Sequence, residues 1–106
     1  MGLLEKGTRG VHVLKIEYPV TDYDSWKAAF DRDALDREGS GVRRYRVLRP
    51  TDDPGYVMID LDFDNASEAE AYLAALRRAV YSSRQASPAS GEPQTRIVAV
   101  VEAREY

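Results

Sequence analysis

GVRRYRVLRPTDDPGYVMIDLDF, residues 41–63, decides the fold. Two runs of alternating character flank RPTDDPG, whose Pro50, Asp53, Pro54 and Gly55 are turn formers. Successive strand residues point to opposite faces, so the register that keeps apolar residues together puts Tyr45 and Val47 with Val57, Ile59, Leu61 and Phe63. The same register sets Arg44 and Arg46 against Asp60 and Asp62. The reading is a hairpin with one dry face and one charged face.

Working outward, Val11 to Tyr18 alternates as a strand, with His12, Leu14, Ile16 and Tyr18 on one face and Val11, Val13, Lys15 and Glu17 on the other. Pro19 closes it. TDYDSWKAAFDRDALDREGSG, residues 21–41, opens on residues suited to an N-cap and ends on Gly39 and Gly41. Trp26, Ala29, Phe30 and then Asp33 or Ala34 fall at helical spacing, which predicts an amphipathic helix. A second helix is predicted from about Ala66 to Tyr81, capped by Asn65 or Ser67, with Ala69, Tyr72, Leu73, Leu76 and Val80 as its buried stripe. Ser82 to Pro93 is rich in Ser, Ala, Pro and Gly and reads as a mobile loop. Thr95 to about Arg104 is the most apolar strand, expected to be central or interface-facing. Residues 1–10 read as an N-terminal arm and 11–106 as a single domain.

Strand, helix, strand, strand, helix, strand is the split βαβ order of an α+β, ferredoxin-like βαββαβ domain. Right-handed crossovers place both helices on one face of a four-stranded antiparallel sheet. The other face then carries Val13, Lys15, Val42, Arg44, Arg46, Leu48, Met58, Asp60, Asp62 and Val98, a mixture too apolar for plain solvent surface and too charged for a core. Sheet-to-sheet homodimerisation resolves that conflict, with Arg44, Arg46, Asp60 and Asp62 paired inside a symmetric interface.

HVLKIEYPVTDYDSWKAAFD (12–31), GVRRYRVLRP (41–50), YVMIDLDFDNASEAEAYL (56–73) and the closing apolar strand together resemble the dimeric α+β barrel superfamily. That superfamily includes the antibiotic biosynthesis monooxygenase-like and stress-responsive barrel families. The resemblance covers nearly all of Val11 to Arg104 and is one of pattern, without a diagnostic catalytic motif. It implies a barrel of two sheets and, in each protomer, a ligand cavity between sheet and helices. It also implies a cofactor-independent monooxygenase or cyclase acting on an aromatic or polyketide-like molecule. The alternative is a non-catalytic ligand-binding or stress-related dimer.

Composition narrows the field further. A net charge of -3, from 15 Lys and Arg against 18 Asp and Glu, supplies no global field for nucleic acid or an anionic membrane. No cysteine is present, which excludes disulfides, thiolate metal sites and a cysteine nucleophile. No apolar run approaches the roughly 20 residues of a membrane helix, and Met1 to Gly10 lacks a signal-peptide core, so a cytoplasmic protein is expected. Phosphate-cradling glycine loops, serine nucleophile motifs and metal-binding helices are absent, and neither cofactor nor metal is expected.

His12 is the only histidine and the only side chain whose ordinary pKa lies near neutrality, which makes it the candidate proton acceptor. The same position suits a strand-end histidine bonded to a backbone carbonyl, the simpler reading of a single residue. Tyr18, Trp26, Phe30, Tyr45, Phe63 and Tyr72 are candidates to line a pocket for a flat, apolar ligand. Ordinary core packing calls for the same residues, and only the phenolic hydroxyls, which need partners when buried, separate the two.

Overall fold

The computed structural model describes residues 11–79 and 92–106. Its elements are β1 (His12–Pro19), α1 (Tyr23–Asp31), β2 (Arg44–Leu48), β3 (Tyr56–Phe63), α2 (Ala66–Ala79) and β4 (Gln94–Ala99). The strands form one antiparallel sheet in the order β2-β3-β1-β4, the ferredoxin-like arrangement expected from the sequence. The N-terminal arm, Val80, Tyr81 and most of the Ser82 to Pro93 loop lie outside the described residues.

The hairpin register follows the apolar pattern, with Arg44 opposite Asp62, Tyr45 opposite Leu61, Arg46 opposite Asp60 and Val47 opposite Ile59. A slip of one residue would carry Val57, Ile59, Leu61 and Phe63 out of the core, so burial fixes it. Leu14, Ile16, Val57, Ile59, Leu61 and Phe63 are buried under Trp26 from α1 and Ala69, Tyr72 and Leu73 from α2. Removing one such side chain from water is worth about 1.5–3 kcal/mol, which explains why the strand alternation dominates the fold.

Some local features differ from the sequence reading. α1 ends at Asp31, well before Gly39, because Asp33 and Asp36 take positive φ of 54° and 52°. Aspartate tolerates that conformation by bonding its own turn: Asp33 Oδ1 accepts the Arg37 amide and Asp36 Oδ1 accepts the Gly39 amide. Val42 is buried in the core, since β2 starts only at Arg44 and the turn at Gly41 rotates Val42 inward. The last strand is an edge strand ending at Ala99; β1 and β3 take the central places because they pair with each other. Of the two cap candidates at the start of α2, Asn65 serves: its Oδ1 accepts the Glu68 amide, and the Ser67 hydroxyl donates to that same oxygen.

Candidate functional site

On the open face, Asp60 is buried and accepts Lys15 Nζ on Oδ1 and Arg46 on Oδ2, each at 2.8 Å. Arg44 lies 3.3 Å from Asp62, and the Tyr56 hydroxyl donates to Glu17 at 2.7 Å. Those charges are matched within one protomer, as neighbouring strands allow. A cleft of about 260 Å³ lies on this sheet between β1 and β4, lined by Lys15, Glu17, Gln94, Thr95 and Arg96. It contains none of the aromatic candidates.

The helix-covered face gathers those candidates into two groups. Tyr18, at the end of β1, accepts a 2.6 Å hydrogen bond from the Trp26 indole. Trp26 and Phe30 sit one helical turn apart on α1 and stack at 5.1 Å, and Phe30 meets Tyr45 of β2 edge-on at 5.1 Å. Tyr23 extends the row, 5.8 Å from Trp26, with the Arg49 guanidinium over its ring. The second group is Phe63 and Tyr72, 5.7 Å apart, with half-buried His12 directly across the strand pair from Phe63. His12 and Tyr18 share a face of β1 but are six residues apart, about 20 Å of strand. One ring-sized ligand therefore meets either His12 or the Tyr18 hydroxyl, but not both.

Arg37 connects the groups, and the sequence reading missed it. Its side chain is only 13% exposed, pairs with Asp33 at 3.4 Å and donates to the Phe30 carbonyl at 3.0 Å. Its guanidinium lies 3.8 Å from the Phe30 ring centre and 5.0 Å from that of Tyr45, cation–π distances for both. Arg37 follows the end of α1, outside any helical stripe, so periodicity carries no signal for it. The positive-φ turns at Asp33 and Asp36 fold it back.

The phenols differ from ordinary surface tyrosines. Burial pushes the Tyr18 hydroxyl above its usual pKa, with the Trp26 hydrogen bond pulling partly the other way. Burial likewise raises Tyr72, and the nearby Arg37 charge opposes that rise. Both are neutral donors near pH 7. Among the described residues no cluster of His, Asp and Glu is arranged to hold a metal ion, and no helix is long and apolar enough to cross a membrane.

No family model matches the chain, and no curated protein matches it. Solved structures do. SnoaB, a cofactor-independent oxygenase from Streptomyces nogalater, superposes with a TM-score of 0.71 at 11% identity, over 89% of this chain and 96% of that one. The chain has the ferredoxin-like fold of the antibiotic biosynthesis monooxygenase-like proteins. A dimeric ferredoxin-like protein from an uncultured marine organism shares this fold (TM-score 0.63, 12% identity, 89% and 98% of the two chains). An EthD-like protein from Ralstonia eutropha does so too (TM-score 0.65, 20% identity, 90% and 96%).

Proposed function

We propose that this chain is a homodimeric, cofactor-independent monooxygenase or cyclase for an aromatic or polyketide-like molecule, bound between sheet and helices. The observation that carries the reading is the convergence of Phe63, Tyr72 and His12 at one end of the helix-covered face, with Arg37 joining that end to the aromatic row. Rings supply flat apolar contact, the neutral Tyr72 hydroxyl supplies a donor, and His12 is the candidate base. A base that removes a proton from an acidic carbon beside a hydroxyaromatic ring leaves a carbanion able to react with dioxygen directly. Where that carbon is a methylene, it loses both hydrogens; one atom of the dioxygen becomes the new carbonyl oxygen and the other leaves with the two hydrogens as water. Oxidation of the carbon thus balances reduction of dioxygen, and no further reductant is needed. SnoaB, itself a cofactor-independent oxygenase on this fold, supports the assignment.

Homodimerisation through the open face is part of the same proposal. Asp60 and Asp62 already hold Lys15, Arg44 and Arg46 within the protomer, so the charges enter an interface as matched pairs and lose less on desolvation.

The second reading is a ligand-binding or stress-related dimer without chemistry: Tyr18 and Trp26 are buried and bonded to each other, so the Tyr18 hydroxyl is engaged by the protein itself. Oxygen uptake with a panel of anthrones and naphthols, run beside ligand-dependent thermal shifts, separates the readings. Uptake that falls at least tenfold in His12→Ala and Tyr72→Phe is expected for the enzyme. Thermal shifts without uptake establish the binding protein, and neither signal refutes both.

A further inference from the structure

The cleft between β1 and β4 lies on the side of the sheet away from the aromatic groups, and its charges are arranged unlike those of the rest of the open face. Within the four strands, alternation sets the cations Lys15, Arg44, Arg46 and Arg96 on that face against the carboxylates Glu17, Asp60 and Asp62. Lys15, Arg44 and Arg46 are taken up by Asp60 and Asp62, whereas the Arg96 guanidinium has no ion pair among the described residues. The surplus positive charge is local to the cleft.

The strand register concentrates it there. Lys15 stands directly opposite Arg96, with Cα atoms about 4.5–5.5 Å apart, and like charges so placed destabilise a sheet. A slip of two residues would leave every side chain on its own face and set Arg96 against Glu17, so hydrophobic patterning alone does not impose the like-charge pair. Lys15 leans away from Arg96 to reach Asp60 on the far side of β1, and because Asp60 is shared with Arg46 it does not fully cancel the Lys15 charge. One pair further along, Glu17 faces Gln94. The Tyr56 hydroxyl fills only one acceptor position of the Glu17 carboxylate.

We propose that this cleft binds a small monocarboxylate bearing a hydroxyl group, its carboxylate held by Arg96 and Lys15 and its hydroxyl between Glu17 and Gln94. A guanidinium meets a carboxylate with two parallel hydrogen bonds, while Glu17 accepts from the ligand hydroxyl and the Gln94 amide donates to it. The two residue pairs lie about 6.8 Å apart along the strands, a separation that side chains of this length bridge to a ligand of a few carbons. Glu17 also selects, because a phosphate dianion in the cleft would meet its like charge. At about 260 Å³ the cleft falls below the roughly 300–1,000 Å³ of sites for drug-sized ligands. In the homodimer proposed above two Arg96 residues enter the interface without counter-ions, and bound carboxylate neutralises both. That coupling, and not the site itself, rests on the dimer reading.

Calorimetry with 3-hydroxybutyrate, butyrate and inorganic phosphate tests the site. 3-Hydroxybutyrate is expected to bind with a Kd on the order of 1 mM, more tightly than either of the others. Arg96→Gln is expected to weaken it at least about tenfold, with urea unfolding unchanged or moved to higher denaturant because the like-charge pair is gone. Lys27→Gln, which removes a cation of α1 paired with Asp31, is expected to bind as wild type does. Glu17→Gln should erase the preference over butyrate and admit phosphate. No binding of 3-hydroxybutyrate far above that Kd, or binding that survives Arg96→Gln, overturns the site, and tighter binding of phosphate to wild type overturns the ligand class. Sedimentation keeps the dimer reading apart: 3-hydroxybutyrate is expected to lower the dimer Kd, and an unchanged Kd overturns the coupling. A monomer that still binds 3-hydroxybutyrate overturns the homodimer and leaves the site standing.

Discussion

Gly41→Ala tests how the chain is carried from the Arg37 turn into β2. Gly41 has φ of +104°, a region that favours glycine, and its amide holds the turn by donating to the Glu38 carbonyl at 3.1 Å. A Cβ there would lie 3.0 Å from Glu68 Cδ and 3.1 and 3.2 Å from its two oxygens. Backbone strain of this kind costs about 1–3 kcal/mol, and displacing the Glu68 carboxylate adds to it, so a loss of about 2–4 kcal/mol is expected. Glu68 Oε1 is buried without a hydrogen-bond partner among the described residues, so Glu68→Ala alone removes an unsatisfied atom and is expected to be near neutral. The double variant therefore keeps the strain but loses the clash, and recovers about 1 kcal/mol relative to Gly41→Ala. Urea unfolding of the four proteins gives the cycle directly. A Gly41→Ala variant within about 0.5 kcal/mol of wild type, or a double variant no better than Gly41→Ala, would refute the reasoning.

Two further outcomes follow from the buried polar groups. Tyr18 and Tyr72 have pKa values raised above 10.0, chiefly by burial, so the folded state disfavours their ionisation. Their contribution to stability is fully present below pH 10 and is lost as pH rises from there through the raised values. Unfolding followed between about pH 9 and 12 is expected to show that loss, and Arg37→Gln, which removes the charge opposing the rise, should move Tyr72 ionisation, followed by phenolate absorbance, to still higher pH. Asp60→Asn removes two ion pairs, but Lys15 and Arg46 are 45% and 68% exposed and regain water, so the cost is about 1–2 kcal/mol. The difference from wild type should narrow in about 1 M salt, and a salt-independent difference would show that lost packing, not charge, sets the effect.

The sheet was legible because its signal is redundant. Every helix-facing residue of β3, Val57, Ile59, Leu61 and Phe63, is buried, and the same alternation set the register opposite β2. Elements ruled by single residues were not. Nothing in DRDALDREGSG marks the stop at Asp31, because the stop comes from two aspartates in positive φ, and aspartate is also accommodated within helices at modest cost. The length of the last strand was overread for a related cause: apolar and β-branched content measures fitness for a sheet, while pairing requires a neighbour, and Val101 stands 90% exposed beyond the end of β4. Of the candidate site, the aromatic residues were found because core periodicity selects them, while Arg37 required the folded turn.

Arg37 is also where the case for chemistry is strongest. Its carboxylate partner Asp33 is 38% exposed and held 3.4 Å away, so the guanidinium is only partly neutralised while two rings cover it. A purely structural arginine gains most from a close, bidentate carboxylate, as Asp60 receives Lys15 and Arg46 at 2.8 Å on the open face. The two faces of the sheet thus treat charge differently. On the open face Asp60 and Asp62 are matched by Lys15, Arg46 and Arg44 on neighbouring strands. Beneath the helices Arg37 sits between an aromatic row and the Tyr72 phenol, where the proposed function would have it stabilise negative charge on a bound ring. Under the proposed function, a phenolate or enolate held there would pair with Arg37, which favours a substrate on this face over one in the cleft between β1 and β4.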